Sequence, residues 1–224
     1  MNKIINVAVD GPAGAGKSTI SRAAAKALGY IYVDTGALYR AVGVNALRKG
    51  YDTADRAAVE ESIKGIDVDL TFVDGEQLVL LFGENVSGEI RTPEASMAAS
   101  NVSAVPAVRS LLFDLQRDIA SRNNCIMDGR DIGTVVLPDA QVKIFLTASA
   151  EARAQRRYKE LLEKGTQVNF EDVLAEMIQR DYNDSHREIA PLRPAEDSVC
   201  LDTTSLSLEE SIDKLISIIK EKTV

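Results

Sequence analysis

A glycine-rich segment near the start of the chain constrains the fold more than any other feature. The segment matches the pattern G-x-x-x-x-G-K-[ST] and consists of Gly11, Pro12, Ala13, Gly14, Ala15, Gly16, Lys17 and Ser18. The apolar run 4–9 before it predicts a buried parallel strand, and the alanine-rich run 19–28 after it predicts a helix that ends at Gly29. This strand–loop–helix context predicts a P-loop, in which backbone N–H groups and a helix N-terminus bind phosphate.

The last two residues of the loop predict which kind of ligand it binds. In a P-loop the lysine reaches the β- and γ-phosphates of a nucleoside triphosphate, and the next hydroxyl is placed for Mg²⁺. We therefore assign these roles to Lys17 and Ser18, and we expect Lys17 to be exposed. The alternative, a glycine-rich turn with a surface lysine, would require every fixed position and both flanks to match by accident.

The bulk properties of the chain limit what the loop can serve. Its 224 residues are enough for one sizeable α/β core with an insertion. The net charge of −8 argues against a general nucleic-acid surface, and no apolar run approaches the roughly 20 residues that span a membrane. Because the P-loop begins almost at the N-terminus without a signal peptide, we expect a cytoplasmic protein.

Cysteine and histidine are too scarce for a structural zinc site. The two cysteines, Cys125 and Cys200, lie in short apolar runs, so we interpret both as reduced core residues. The single histidine, His186, is expected to be incidental to catalysis.

Strand and helix patterns alternate along most of the chain, which predicts a parallel sheet between helices, with ligands at the carboxyl ends of the strands. One region differs: residues 66–72 alternate between apolar and polar side chains, a turn follows at Asp74 and Gly75, and a second strand pattern covers 77–82. This predicts an antiparallel hairpin in an inserted subdomain from about residue 62 to residue 102. The predicted core strands are 4–9, 30–33, 125–127, 142–146 and 198–201, and the predicted helices include 36–49, 54–64, 107–122, 150–164, one from 170 and a closing one with Leu208, Ile212, Leu215 and Ile219 on its apolar face.

Arginines cluster at positions that suit a second anionic ligand. Three of them have the i, i+3, i+4 spacing that places side chains on one helix face. Three charged residues of the next helix have the similar spacing i, i+4, i+7, and three further arginines lie near the ends of other elements. These sets are Arg153, Arg156 and Arg157; Arg180, Asp184 and Arg187; and Arg40, Arg109 and Arg130. Solvated helix faces, with Arg180 and Asp184 as an ordinary surface ion pair, remain an alternative. The segment 128–131, Asp-Gly-Arg-Asp, directly follows a strand, where an α/β sheet places its ligand.

An arginine-rich site fits a phosphate acceptor better than an alcohol acceptor. An alcohol needs a carboxylate to position or deprotonate its hydroxyl, whereas a phosphate is already largely ionised near neutral pH. It needs cations that bring two repelling phosphate groups together, and bidentate arginine serves this purpose. The residues therefore favour a nucleoside monophosphate kinase. A GTPase is disfavoured because no suitably placed N-K-x-D signature is present, while a non-catalytic nucleotide-binding regulator and a kinase of UMP or AMP remain alternatives.

Five segments of the chain closely resemble the bacterial cytidylate kinase family. They are DGPAGAGKST from Asp10, DTGALYRA from Asp34, VSGEIRT from Val86, DGRDIGTVV from Asp128 and RDYNDSHREIAPL from Arg180. VSGEIRT lies in the insertion that sets this group apart from shorter adenylate-type kinases. The resemblance implies transfer of the ATP γ-phosphate to CMP and dCMP with Mg²⁺, and weaker use of UMP.

The resemblance also implies a fold and a division of the chain. The fold is α/β, a P-loop kinase fold with a five-stranded parallel sheet flanked by helices, an inserted NMP-binding subdomain containing a small antiparallel sheet, and a short helical lid. A single kinase unit, 1–224, would comprise a core (1–34, 103–149 and 188–224), an NMP-binding region with the insertion (35–102) and the lid with flanking helices (150–187). Small nucleotides are the expected partners, without nucleic acid or membrane, and a monomer is expected.

Residue roles follow from the resemblance at matching positions. Gly11 to Thr19 match the ATP-phosphate loop, and Arg153, Arg156 and Arg157 match lid arginines that approach the donor phosphates on closure. Arg40, Arg130 and Arg187 match residues that hold the acceptor's phosphate, and Arg180 and Asp184 match residues that contact the sugar. Ser100, Arg109 and Asp131 match residues that read cytosine, whose amino group can donate to Ser100 or Asp131. Thr35 joins this CMP-binding set, and Lys17, Arg130, Arg153 and Arg157 are the expected catalytic residues.

Overall fold

The chain divides into two compact units. A computed structural model describes residues 4–73, 75–163 and 165–223. The first unit combines the chain up to Tyr30 with the chain from Cys125 onward, and the second unit runs from Ile31 to Asn124. The predicted division into core, NMP-binding region and lid is a functional one and stays a prediction.

A five-stranded sheet has strand order β2-β6-β1-β7-β8, which confirms the predicted parallel α/β sheet. The central strands are buried on both faces, and Val7, Ala8 and Val9 are fully enclosed, as the continuous apolar run before the P-loop indicated. Parallel pairing brings the ends of β1 and β6 to the same edge, with Val9 opposite Asp128 and Asp10 opposite Gly129. The five strands are β1 (Asn6–Asp10), β2 (Ile31–Asp34), β6 (Cys125–Gly129), β7 (Val142–Thr147) and β8 (Val199–Asp202).

Helices of the first unit begin where the sequence offers capping side chains. Asn169 accepts a hydrogen bond from the Glu171 N–H at the start of one helix. Ser207 and Glu210 form the predicted capping box at the start of another, each side chain accepting from the other's backbone N–H. The elements are α1 (Lys17–Leu28), a π-helical turn (Ile132–Val136), α6 (Ala150–Glu163), α7 (Phe170–His186) and α8 (Leu208–Thr223).

The second unit contains the predicted antiparallel hairpin. Strands β3 (Val68–Val73) and β4 (Glu76–Leu81) pair antiparallel, and a short strand that the sequence did not predict, β5 (Glu84–Asn85), continues the sheet. Of the predicted turn, Asp74 lies outside the described residues. The helical elements of this unit are α2 (Thr35–Arg48), α3 (Arg56–Ser62), a 3-10 turn (Glu89–Arg91), α4 (Pro93–Val102) and α5 (Pro106–Arg122).

Several predicted positions differ from the structure. Cys125 is buried as expected, but Cys200 is exposed, because β8 is the last strand of the sheet and only Leu201 of that strand is buried. Leu208 is also exposed, since it is the first residue of α8. Helix α3 starts at Arg56 instead of residue 54, because the Asp55 side chain caps it by accepting from the Ala57 and Ala58 N–H groups. The predicted end of α6 at Lys164 lies outside the described residues.

Among the described residues, no helix combines the length and the apolar character that crossing a membrane requires.

Candidate active site

The phosphate loop passes close to strand β7, and this requires glycine at its first position. Gly11 has φ of +152°, and a Cβ built there would lie 1.9 Å from the Leu146 carbonyl oxygen. Gly14 and Gly16 also have positive φ, 73° and 88°, so the loop turns where side chains are disfavoured. Gly16 directly precedes α1. The backbone N–H groups of the loop and the N-terminus of this helix can therefore bind the same anion.

Lys17 is buried, contrary to the exposed position expected from the sequence. Its Nζ donates to the Pro12 carbonyl oxygen at 2.8 Å, inside the loop. Burial lowers the pKa of this ammonium, and the nearby Arg130 lowers it further, while Asp128, Asp10 and Asp184 act in the opposite direction. The loop thus encloses a cation that phosphate oxygens would stabilise.

Ser18 and Asp128 present two oxygen ligands beside the loop. The Ser18 hydroxyl, at the start of α1, donates at 2.8 Å to Oδ2 of Asp128, which lies near the end of β6. A hydroxyl and a carboxylate are the hard oxygen donors that Mg²⁺ prefers, and this cation usually keeps waters and phosphate oxygens as its other ligands. Among the described residues no group of three or more His, Cys, Asp or Glu side chains could hold a metal by itself. The residues present therefore fit Mg²⁺ that arrives with a nucleotide.

Asp10 is a buried carboxylate that the sequence analysis did not identify. It ends β1 and accepts from the backbone N–H groups of Ile132 and Gly133, both at 2.7 Å. Burial raises its pKa from 3.8 to about 6, despite these two hydrogen bonds. Asp10 thus holds the start of the π-helical turn that directly follows Arg130 and Asp131. Its position between an apolar strand and Gly11 is the signal that could have found it.

The predicted acceptor-binding residues of the first unit form ion pairs with one another. Arg130 Nε donates to Asp184 Oδ2 at 2.7 Å, and Arg187 Nη2 donates to Asp131 Oδ1 at 3.3 Å. Burial alone would raise the pKa of Asp184, but Arg130, Arg180 and Arg187 hold it below its usual value. Asp184 and Asp131 are both buried, so the alternative of an ordinary surface ion pair between Arg180 and Asp184 does not describe this cluster.

The three arginines of α6 have different surroundings. Arg153 is buried and donates to the Ala13 carbonyl of the loop at 2.9 Å, and its guanidinium forms a two-pronged ion pair with Asp181 of α7. Arg156 donates to the Thr203 carbonyl at 2.6 Å. Arg157 pairs with Glu160 one turn along the same helix, on the exposed surface. Of these three arginines, Arg153 is the one that hydrogen-bonds to the phosphate loop.

In the second unit, Arg40 of α2 forms an ion pair with Asp34, the residue that caps the same helix. Asp34 Oδ1 accepts from the Ala37 N–H at 3.0 Å at the start of α2, and Asp34 Oδ2 accepts from Arg40 Nη2 at 2.6 Å. Thr35, the first residue of α2, is buried.

The predicted cytosine-reading residues of this unit lie on neighbouring helices. Arg109 of α5 is buried and donates to the Tyr39 hydroxyl of α2 at 3.3 Å. Ser100 of α4 is half-buried. Helices α2 and α4 approach closely at Gly43, where a Cβ would lie 2.7 Å from that of Ala98.

Most residues that the sequence analysis missed are partners of predicted arginines. Asp34 could have been found as a polar residue directly before a helix, which is an N-cap signal. Asp181 had no such signal, because its partner Arg153 lies 28 residues away on another helix. Tyr39 and Arg109 are 70 residues apart, and only packing brings them together.

Sequence comparisons give consistent matches over nearly the whole chain. The family model for cytidylate kinase matches residues 7–221. The cytidylate kinase of Caldicellulosiruptor bescii is 52% identical over 216 residues, which cover 96% of each chain. That of Pasteurella multocida is 50% identical over 98% of this chain and 96% of its own.

Structural comparisons agree on the fold. A shikimate kinase from Bacteroides thetaiotaomicron superposes with a TM-score of 0.51 at 12% identity, covering 97% of this chain and 99% of its own. An uncharacterised protein from Eubacterium ventriosum reaches a TM-score of 0.56 at 14% identity, covering 98% of this chain and 99% of its own. At such low identity these likenesses concern the fold alone, and they confirm the predicted P-loop kinase fold.

Proposed function

Because this chain belongs to the cytidylate kinase family, we propose that it transfers the γ-phosphate of ATP to CMP and dCMP, giving ADP and the nucleoside diphosphates. The observation that carries the proposal is a phosphate loop whose buried Lys17 lies within electrostatic range of Arg130, next to a cluster of arginine–carboxylate pairs. One anion-binding loop and one set of arginines supply sites for a phosphate donor and a phosphate acceptor.

The donor's phosphates are assigned to the loop and to α6. Backbone N–H groups of the loop and the N-terminus of α1 would bind the β- and γ-phosphates, with Lys17 as their cation. Ser18 and Asp128 would hold Mg²⁺, which when bound neutralises charge that develops on the transferring phosphoryl group. Arg153 already contacts the loop, while Arg156 and Arg157 would approach the donor only if α6 moves.

The acceptor's phosphate is assigned to Arg40, Arg130 and Arg187. A nucleoside monophosphate is ionised near neutral pH, so these residues need only to orient it and spread its charge, and no general base is required. In this structure each of the three guanidiniums donates to a carboxylate: Arg40 to Asp34, Arg130 to Asp184 and Arg187 to Asp131. Charge-assisted bonds to phosphate oxygens would be added to these pairs or replace them.

The nucleoside is assigned to the remaining residues. Arg180 and Asp184 would contact the sugar, Ser100, Arg109 and Asp131 would read cytosine, and Thr35 would complete the CMP-binding set. Cytosine has an amino donor where uracil has a carbonyl, so an acceptor such as the Asp131 carboxylate would favour CMP.

A panel of acceptors tests this proposal. Purified protein is incubated with Mg²⁺ and ATP together with CMP, dCMP, UMP or AMP, and ADP formation is followed. We expect the highest kcat/KM with CMP or dCMP, and no ADP above the acceptor-free rate in the presence of EDTA. Absence of CMP-dependent ADP would overturn the proposal in favour of a non-catalytic nucleotide-binding protein, and a preference for UMP or AMP would reassign the acceptor.

A further inference from the structure

A side chain of the inserted sheet is hydrogen-bonded to the backbone at the end of β2. Gln77 of β4 accepts from the Asp34 N–H through Oε1 at 2.8 Å and donates from Nε2 to the Asp34 carbonyl at 3.2 Å. The two residues are 43 positions apart in sequence. Since β2 is an edge strand, this amide satisfies a backbone donor and acceptor as another strand would.

Asp34 in turn determines where the guanidinium of Arg40 lies. One carboxylate oxygen of Asp34 caps α2, and the other accepts from Arg40 Nη2. The space around this pair is tight, because a Cβ at Gly36 would lie 3.1 Å from Asp34 Oδ1 and 3.3 Å from Arg40 Nη1. A shift of the Asp34 backbone would therefore move the helix cap and the guanidinium together.

We propose that Gln77 is a positioning residue for the acceptor's phosphate. It fixes the Asp34 peptide group, Asp34 orients Arg40, and Arg40 binds the phosphate of the nucleoside monophosphate. By this route the inserted antiparallel sheet strengthens acceptor binding without touching the nucleotide. The inference rests on the proposed function and on the phosphate-binding role proposed there for Arg40.

The alternative is that Gln77 only stabilises the second unit. Two features distinguish the possibilities. A positioning role acts on the acceptor and not on ATP, and it disappears when Arg40 is absent. If Gln77 is merely structural, its replacement lowers the folded fraction, so the loss of activity is the same whichever substrate is varied. That loss would also remain when Arg40 is replaced.

Steady-state kinetics with Gln77→Ala tests the first feature. We expect KM for CMP to rise roughly three- to tenfold, the range that loss of one or two hydrogen bonds produces, while KM for ATP stays within about twofold. Gln77→Met keeps most of the side-chain length and loses both hydrogen bonds, so a similar rise is expected, and this variant carries the test if Gln77→Ala does not fold. The matched control is Glu76→Ala, an exposed residue at the start of the same strand, which should behave as the parent protein.

A double-mutant cycle with Arg40→Ala tests the second feature. In the Arg40→Ala background, adding Gln77→Ala should change KM for CMP by less than about twofold. An undiminished effect in that background, or a Gln77→Ala protein with the same KM for CMP as Glu76→Ala, would overturn the positioning role. Failure of the proposed function is recognised separately, because the parent protein would then form no CMP-dependent ADP.

Discussion

Buried arginines of the proposed site are paired with carboxylates. Arg153 and Arg187, for example, are both largely enclosed and each contacts a carboxylate, Asp181 and Asp131. A buried charge without a partner is costly, so a site that must bind phosphate with arginine needs such carboxylates when phosphate is absent. The carboxylates therefore keep the arginines folded into the site.

Replacement of Lys17 should separate catalysis from folding. Lys17→Met keeps most of the side-chain volume and removes a desolvated charge, so we expect kcat to fall about a thousandfold or more while the thermal midpoint changes by less than about 4 °C. ADP formation and thermal unfolding measure the two effects. Lys26→Ala, an exposed lysine on the same helix, is the control and should be silent. Activity of Lys17→Met within a few-fold of the parent would contradict the assigned role.

Replacement of Asp131 should reduce discrimination between acceptors. We expect the parent protein to prefer CMP over UMP by about tenfold to a hundredfold in kcat/KM, and Asp131→Asn to lose most of that ratio through loss on CMP. Because Asp131 also accepts from Arg187, the variant is expected to lose some activity with both substrates. The informative quantity is therefore the ratio of kcat/KM for CMP to kcat/KM for UMP.

Arg40→Ala is the comparison for Asp131→Asn. This variant should lower kcat/KM for CMP and for UMP by the same factor, since the Arg40 side chain would contact only the phosphate that both substrates share. Equal losses on CMP and UMP in Asp131→Asn would instead give Asp131 a structural role.

Asp10 should make the free energy of unfolding decrease as pH rises, which is the opposite of what a carboxylate with a lowered pKa does. Burial raises its pKa from 3.8 to about 6, so its favourable contribution is complete below pH 3.8 and is lost as pH rises through 6. Asp10→Asn removes this dependence. Relative to the variant, the parent protein should lose on the order of 3 kcal/mol of unfolding free energy between pH 4 and pH 7.5, as urea unfolding would measure. A difference between the two proteins that does not change with pH would show that folding does not raise the pKa of Asp10.

At the scale of elements, α6 and α7 form a packed pair. Ala154, Val173 and Met177 are the buried residues of a small cluster that includes Tyr158 and Phe170 in edge-to-face contact. The Arg153–Asp181 ion pair joins the same two helices, and Arg153 connects them to the phosphate loop. Because these contacts connect α6 to α7, we expect a movement of the predicted lid to involve both helices.

Hydrogen exchange should detect such movement. With CMP and a non-hydrolysable ATP analogue both at saturation, we expect amide exchange in residues 150–186 to slow, because closure excludes water and adds contacts to the phosphates. Helix α8, which lies outside the predicted lid, is the internal control, and its exchange should slow less than that of α6 and α7. Unchanged exchange in α6 and α7 at saturation would describe a rigid helical pair.

At the scale of the whole molecule, ligand binding should stabilise the folded chain by mass action. CMP at about a hundred times its dissociation constant adds roughly 2.7 kcal/mol, which raises the thermal midpoint of a protein of this size by about 5 to 10 °C. ATP should act similarly on the parent protein. Arg40→Ala should lose the shift with CMP at that concentration and keep the shift with ATP; loss of both shifts would indicate a folding defect.

The sequence by itself determined the fold class and the family of this protein, and it supplied the residues proposed for its site. The P-loop pattern, the alternating strands and helices, the period-2 hairpin and the capping box are short-range patterns, each dictated by backbone geometry within a few residues. Segments such as DGRDIGTVV then identified the family, which the comparisons confirm.

Tertiary structure alone decided which side chains meet. The partners of Arg130, Arg153 and Arg187 lie 28 to 56 residues away, and local pattern carries no information on such pairs. Burial was also decided there: Lys17 is enclosed by its own loop, whereas Cys200 is exposed because its strand is the last of the sheet. Charge pairing and burial depend on how distant elements pack, and packing is a property of the whole fold rather than of any segment.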